Sequence, residues 1–310
     1  MTDIIKKEFH VLVESEGETA VAILAKASKL SKQKIKQAMQ KGCVWLEKPA
    51  KTTTAESIEN TEDTEGAEAT GDIEDLVSTK NYRHYTQRLR RAKKQVLVGE
   101  TLHFYYNEAV LNTEPSEAKL ISDKGDYSIW CKPTGMLSQG SKWGDHCTIN
   151  RWAEKHLQPE RPAFIVHRLD RAASGLIIIA HKKKTAAVFA QKFQQHEIEK
   201  HYTVSVKGDF STILEKGETL KTITDDIDNK SAISHAKFMD YDALSNESSV
   251  AVEIETGRKH QIRKHLAALN FPVVGDRLYG SGEHDVDLKL QAVRLSFVCP
   301  VSGEKVVFEL

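Results

Sequence analysis

No run of about eighteen apolar residues occurs in this sequence, which excludes a membrane-spanning helix. Met1 to Glu8 is charged and lacks an apolar stretch, so no secretory leader is expected. Cysteine is scarce: Cys43, Cys131, Cys147 and Cys299 are scattered, and none forms a Cys-x-x-Cys pair. That argues against zinc and fits a reducing, cytoplasmic setting. His146-Cys147 has no second ligand pair near it and reads as loop. There is no glycine-rich phosphate loop and no dinucleotide fingerprint, so neither a nucleotide cofactor nor a metal is expected. Net charge is missing too: 44 basic residues match 44 acidic ones. Taken alone, that balance is unpromising for a nucleic-acid partner.

The zero hides a segregation. Between Lys51 and Lys80 there is no Lys or Arg, while nine acidic residues fall there, from Glu56 to Asp75. The rest of the chain keeps 44 basic residues against 35 acidic ones. The folded body is therefore expected to be basic, with one segment masking it. Lys48 to Lys80 is rich in Thr, Ala, Glu and Gly and nearly free of large apolar residues. It is expected to be a disordered or mobile insertion. Such a segment could fold back on the basic surface as a phosphate mimic; deleting 52–79 should then tighten non-specific RNA binding at low salt.

A length of 310 residues favours two domains. The first hundred residues read as a strand at Phe9 to Glu14, a helix at Ala20 to Ser28, and a second helix at Lys32 to Lys41. Ser31 is placed to cap the second helix and Gly42 to end it. A strand follows at Cys43 to Glu47. After the insertion comes a dense basic run with Arg83, Arg88, Arg90, Arg91, Lys93 and Lys94 beside Tyr82 and Tyr85. Gln95 to Tyr106 then reads as strand, turn and strand. Lys32 and Lys36 on the second helix, with Arg83, Arg88, Arg90 and Arg91, are candidate phosphate contacts. A lysine helix alone is as readily a solvated face; aromatics beside arginines favour RNA, because both can stack on bases. A linker near Leu111 to Pro115 divides the chain into 1–112 and 113–310.

In the second part, His167-Arg168-Leu169-Asp170-Arg171 packs four ionisable groups between the apolar runs Ala163–Val166 and Leu176–Ala180. The second run is short and β-branched, which suits a strand covered on both faces. Gly175 permits a tight entry into it. An Asp so near a core must be paired or hydrogen-bonded to stay ionised, and a salt-bridged turn is the plain reading. Thr148 to His156 and Thr185 to Gln194 read as helices. Tyr202 stands on an alternating strand, where a tyrosine usually fills the core. Thr256-Gly257-Arg258-Lys259-His260-Gln261-Ile262-Arg263 places Arg263 at a helix start just after a strand.

His-Arg-Leu-Asp-Arg-x-x-Ser-Gly-Leu resembles the catalytic motif of the RluA-type pseudouridine synthases. Lys132-Pro133-Thr134-Gly135, Lys200-His201-Tyr202 and Thr-Gly-Arg-x-His-Gln-Ile-Arg resemble that family's other motifs. The likeness runs in order through residues 120–310. It implies an α+β fold, with a central, mainly antiparallel mixed sheet and flanking helices. It also implies isomerisation of uridine: the C1′–N1 bond breaks, the uracil rotates and rejoins through C5. Asp170 would be the nucleophile or base and Arg263 its ion partner. Tyr202 would lie against the uracil and take part in removing the C5 proton. Arg168 would fill the place of an extruded uridine, and Ile262 would wall the base. Arg258, His260 and Gln261 would contact substrate; His167 and Gly175 would hold the turn. The N-terminal pattern resembles the αL RNA-binding module of many RNA-modifying enzymes. The implied partner is ribosomal RNA, with transfer RNA the alternative; no apolar surface helix is left over, so a monomer is expected.

The chain departs from the family at Ala172-Ala173, where an acid and then Thr is usual, and at Gln291-Ala292. Loss of a hydroxyl at Ala173 leads to the expectation of a less firmly fixed Asp170. Two other readings stand beside the synthase. A glycosidase-like hydrolase would need paired carboxylates, and only Asp170 stands out. An RNA-binding or ribosome-assembly protein on an inactive synthase fold is the second.

Overall fold

The computed structural model describes residues 5–49, 85–280 and 285–310. The acidic stretch beyond residue 49, with the phosphate-mimic reading attached to it, and the candidates Tyr82 and Arg83 lie outside the described residues. The chain divides into two compact units, Met1–Glu114 with Gly140–His146, and Pro115–Gln139 with Cys147–Leu310.

In the first unit the elements are β1 (Lys6–Leu12), α1 (Ala20–Ser28), α2 (Lys32–Gln40), β2 (Val44–Lys48), β3 (Tyr85–Arg88), β4 (Thr101–Asn107) and the short α3 (Glu108–Leu111). The strands form an antiparallel sheet in the order β1-β4-β2-β3. Alternation on β4 sends Leu102, Phe104 and Tyr106 inward. There they join Leu24 of α1 and Ile35 and Met39 of α2 in one core. The Ser31 hydroxyl accepts from Lys34 N at 3.2 Å and caps α2 as its sequence indicates. The strand expected at Gln95 to Val98 reduces to one bridge, Thr19 with Gln95. The Glu100 carboxylate draws Leu97 N into a turn, and Gly99 takes the left-handed φ of 86° that closes it.

Segment 140–146 follows the first unit because its polar groups find partners there. Asp145 pairs with Arg88 and Arg90, Trp45 Nε1 donates to the Lys142 carbonyl at 3.3 Å, and Asp145 N donates to Lys41 O at 3.0 Å. No local pattern in the sequence marks that excursion.

The second unit holds β5 (Lys119–Asp123), β6 (Tyr127–Lys132), α4 (Ile149–His156), β7 (Phe164–Ile165), β8 (Ser174–Ala180), α5 (Lys183–Gln194), β9 (Glu199–Lys207), β10 (Leu220–Ile223), β11 (Ser234–Asp242), β12 (Glu247–Ile254), α6 (Gln261–Ala268), β13 (Leu290–Val298) and β14 (Lys305–Glu309). Its sheet runs β10-β11-β12-β9-β13-β8-β6-β5, with β14 on β13 and β7 on β8. Every pairing is antiparallel except β13 with β8. The fold is α+β with a mixed, mainly antiparallel sheet.

The β-branched run on β8 explains its central place. Ile177 and Ile179 enter the core shared with Trp130, Tyr202 and Val204; Leu176 and Ile178 enter the opposite core with Tyr127, Phe189 and Phe297. Truncating such an isoleucine to Ala costs about 2–5 kcal/mol. The parallel register sets Ala292 beside Gly175, and the antiparallel one sets Ala292 beside Tyr202. A carboxylate loop entering β8 therefore comes close to a tyrosine on β9.

Candidate active site

The turn that carries Asp170 is held through its backbone groups, mostly by the side chains of Lys132 and Ser138. Lys132, with no exposed surface, ends β6 beneath it. Its ammonium donates to the carbonyls of Ala173 (2.6 Å), Met136 (2.9 Å) and Pro133 (3.0 Å). The buried Ser138 hydroxyl donates to Leu169 O at 2.7 Å and accepts from Leu169 N at 3.0 Å. Gly135 N donates to Arg171 O at 2.8 Å, and Ala173 N closes the turn on Asp170 O at 3.1 Å. Lys132, Gly135 and Ser138 thus hold the loop on both sides of Asp170, where Ala173 has no hydroxyl to add. Burial brings the Lys132 pKa down to about 8, opposed by the charge of Asp170.

Arg263 comes to this turn from the first turn of α6. It is 5% exposed in its side chain and grips Asp276, itself fully buried, through Nε and Nη2 at 2.7 Å each. Its remaining nitrogen, Nη1, reaches Asp170 Oδ2 at 3.2 Å. Asp276 also accepts from Leu278 N at 2.9 Å and Tyr279 N at 3.1 Å. Burial disfavours its charge, yet the Arg263 bonds and these two N–H groups hold its pKa below the usual carboxylate range. Burial likewise works against Arg263, but Asp276 and then Asp170 keep its pKa above the ordinary value. The pair is thus neutralised from behind and offers one guanidinium edge to Asp170.

Asp170 remains a quarter exposed, as a reacting group must. Its other oxygen, Oδ1, lies 3.8 Å from His260 Nε2. His260 takes the left-handed conformation, φ 56°, just before α6, and its Nδ1 is 2.9 Å from the Tyr279 hydroxyl. Tyr202 is 8% exposed; burial first, and Asp170 second, push its pKa up, so its phenol is neutral. Ile262 is 5% exposed in the same core as Tyr202. Among the described residues, the site is one usable carboxylate with a cation, an imidazole and a phenol about it. Asp276 cannot serve as a second catalytic carboxylate, since both its oxygens are engaged and buried. The paired-carboxylate hydrolase is therefore disfavoured.

Residues 126–268 match the family model described as RNA pseudouridylate synthase. A Bacillus subtilis protein named uncharacterized RNA pseudouridine synthase YhcT is 30% identical over 63% of this chain and 69% of its own. The tRNA pseudouridine synthase C of Haemophilus ducreyi is 36% identical over 48% of this chain and 68% of its own. The chain belongs to the RNA pseudouridine synthase family. The solved structure of human RNA pseudouridylate synthase domain containing 1 shares the fold, with a TM-score of 0.52 at 20% identity, covering 64% of this chain and 86% of that one.

Within this synthase, Arg263 lies 3.2 Å and His260 3.8 Å from Asp170, Tyr202 is near enough to feel its charge, and Ile262 is buried in the core that also holds Tyr202. Arg168 is exposed two residues before Asp170. His167 accepts from Ile178 N at 2.9 Å through Nε2 and stacks on Phe193; burial, with the charge of Lys200, lowers its pKa to about 3. Gly175, at φ 111°, faces the Ala292 backbone so closely that a Cβ would collide with it.

The expectations for Gln261, Arg88 and Arg90 are corrected. Gln261 is 3% exposed, and its amide is fully used: Oε1 accepts from Thr256 Oγ1 (2.8 Å) and Arg258 N (3.0 Å), and Nε2 donates to Ile233 O (2.9 Å) and Ser234 Oγ (3.0 Å). It pins the turn before α6 to β11, which leaves its amide no bond to offer a substrate. Arg258, half-buried, donates from Nε to Ser231 O at 2.9 Å, which leaves its substrate-contact expectation standing. In the first unit, Arg88 lies over the Trp45 ring and donates to the Gly42 and Ser141 carbonyls, while Arg90 binds Asp145 and Gln40 O. Asp145 turns both arginines inward, so they are structural.

Lys32, Lys36 and Arg91 are exposed, and Lys36, Arg91, Lys93 and Lys94 line a shallow basic depression. The site residues that sequence reasoning missed are Asp276, Tyr279, Lys132 and Ser138. For Asp276 and Tyr279 the available signal was Val274-Gly275-Asp276-Arg277-Leu278-Tyr279-Gly280, a polar turn inside an apolar stretch. For Lys132 it was a lysine ending an apolar strand.

Proposed function

We propose that this RNA pseudouridine synthase acts through Asp170 on a uridine extruded from structured RNA. The observation that carries the reading is a quarter-exposed carboxylate backed by a guanidinium that a buried second carboxylate already neutralises. Arg263 gives Asp170 one hydrogen bond at 3.2 Å and leaves a quarter of its side chain open to an incoming ligand. A carboxylate so held can attack the sugar or take a proton from it, and a uridine inside a duplex must leave its stack to meet it. In this reading Tyr202 and Ile262 receive the uracil and Arg168 enters the place the base vacates. The reaction is an isomerisation, so no redox cofactor or nucleotide energy is called for.

The first unit holds the RNA through Lys32, Lys36 and Arg91, with Lys93 and Lys94 beside them, as an αL-type module. Ribosomal RNA is the favoured substrate and transfer RNA the alternative. Relatives carry both kinds of name: ribosomal large subunit pseudouridine synthase D in Borreliella burgdorferi and tRNA pseudouridine synthase C in Haemophilus ducreyi. The enzyme works as a monomer in the cytoplasm.

The test is pseudouridine mapping of total RNA from cells lacking the protein, complemented with wild type or with Asp170→Asn. One site lost in the null strain, restored by wild type and not by the variant, is expected. If no RNA class loses a site, the protein is an RNA-binding or assembly factor on the synthase fold.

A further inference from the structure

We propose that Lys200 and His167 form a seat for a phosphate of the RNA strand, beside the target uridine. The inference rests on Asp170 being the reacting group. Among the described residues three lysine or arginine side chains are buried: Lys132, Arg263 and Lys200. Lys132 is bonded to carbonyls and Arg263 to two carboxylates. Lys200 is 7% exposed, and among the described residues its ammonium has no hydrogen-bonded or ionic partner. It stands 6.0 Å from the centroid of the Phe193 ring. The carboxylates that precede it in the chain are committed elsewhere, Glu199 to Lys305 at 2.9 Å and Glu197 to Lys192 at 2.8 Å. Burial alone lowers its pKa, to about 8, so it stays charged at pH 7. An ammonium taken out of water in this way is costly until an anion joins it.

His167 supplies a second donor, and the backbone fixes its tautomer. The Ile178 N–H can only donate, so Nε2, which accepts it at 2.9 Å, carries no proton. The ring is neutral, because burial first and the charge of Lys200 second hold its pKa at about 3. Its one proton therefore sits on Nδ1, which has no acceptor among the described residues. The imidazole stacks on Phe193 with centroids 4.6 Å apart, so both donors lie against the same ring. Both keep some surface, His167 being half-buried and Lys200 7% exposed. An ammonium and an N–H that both lack an acceptor suit an anionic oxygen, the partner that gives the stronger hydrogen bonds.

The position selects the ligand. His167 lies three residues before Asp170. Lys200 lies two residues before Tyr202 on the same face of β9, roughly 7 Å along the strand. Tyr202 in turn feels the charge of Asp170. A strand that presents a uridine to Asp170 carries a phosphate on either side of it, and Lys200 and His167 stand to one side of that place. His167 thus holds its turn through one nitrogen and faces the RNA with the other.

The experiment uses ribosomal and transfer RNA purified from cells lacking the protein, with pseudouridine formation followed at the mapped site. Lys200→Met keeps the apolar bulk and drops the charge. It should raise KM about tenfold or more, the size of one hydrogen bond to a charged group, with kcat within about threefold of wild type. The slope of log kcat/KM against log salt should fall by about 0.7–0.9, one phosphate contact, and Lys200→Arg should restore part of both. A structural lysine would lower the melting temperature when removed. Lys200→Met should instead melt at or above wild type, because it leaves no partner behind. An unchanged KM and salt slope, or a melting temperature lower by more than about 3 °C, would overturn the proposal. Inorganic phosphate separates the two sources of such an anion. If it raises the melting temperature of wild type and not of Lys200→Met, while the two share one KM for RNA, the seat takes a free anion and the RNA assignment is overturned. If wild type forms pseudouridine in neither RNA, the reading of Asp170 fails and takes this one with it. A working wild type with Lys200→Met unchanged fails this one alone.

Discussion

Replacing Asp276 or Asp170 by asparagine separates two carboxylates that share one guanidinium. Asp276 has no exposed side-chain surface and makes two 2.7 Å bonds to Arg263, which is itself 5% exposed. Removing one member of such a buried pair costs about 3–5 kcal/mol. Asparagine can keep Oδ1 for Arg263 Nη2 and for Leu278 and Tyr279 N–H, but sets an amide donor against Arg263 Nε. Arg263 also keeps Asp170 at 3.2 Å. The loss should therefore fall at the lower end, about 3 kcal/mol. At about 2–4 °C per kcal/mol for a domain of this size, Asp276→Asn should melt about 6–12 °C lower. Asp170 is a quarter exposed and makes one longer bond; its removal should cost below about 1 kcal/mol while abolishing pseudouridine formation.

The pH dependence has a definite sign. The folded-state pKa of Asp276 lies below the usual value, so its contribution is present above about pH 4, the unfolded carboxylate value, and fades as pH falls through the folded value. The gap between wild type and Asp276→Asn should narrow below about pH 4. Calorimetric or dichroic melts of both variants from pH 3 to 8 test this. Equal melting of Asp276→Asn and wild type at pH 7, or a larger loss for Asp170→Asn, would refute the argument.

Three further outcomes are expected. Gly175→Ala should cost more than about 3 kcal/mol, because the Cβ meets the Ala292 backbone where β8 and β13 pair; a wild-type urea midpoint would contradict this. His167 binds no proton in the folded state until about pH 3, whereas the unfolded chain takes one up near pH 6.5. Stability should thus fall from pH 6.5 downward at up to about 1.4 kcal/mol per pH unit. His167→Gln, which can still accept from Ile178 N, should flatten that limb in pH-dependent melts. Lys36→Gln with Arg91→Gln should weaken RNA binding and lower the salt slope by about 0.7–0.9 per lost phosphate contact. Arg88→Gln should lower the melting temperature instead, as read by dye-based thermal unfolding.

Local chemistry determined much of this protein. Ser31 and Thr148 cap the helices their sequence announces, since a cap needs only a hydroxyl three residues before an N–H. The run Leu176–Ala180 becomes a strand buried on both faces because five apolar, mostly β-branched residues have no face to offer water. Asp170 was legible because a carboxylate between two apolar runs demands a partner, and its motif names one in Arg263.

Tertiary structure decided which charges work and which are structural. Arg88, Arg90 and Arg91 are alike in sequence, but Asp145, more than fifty residues on, turns the first two inward and leaves Arg91 exposed. The grip of Asp276 on Arg263, the use of all four bonding positions of Gln261 and the seat of Lys132 beneath the Asp170 turn depend on loops that meet across the sheet. Periodicity reports only which face of an element is apolar. Hydrogen-bond partners tens of residues apart are set by strand order and register, and these exist only once the chain has folded.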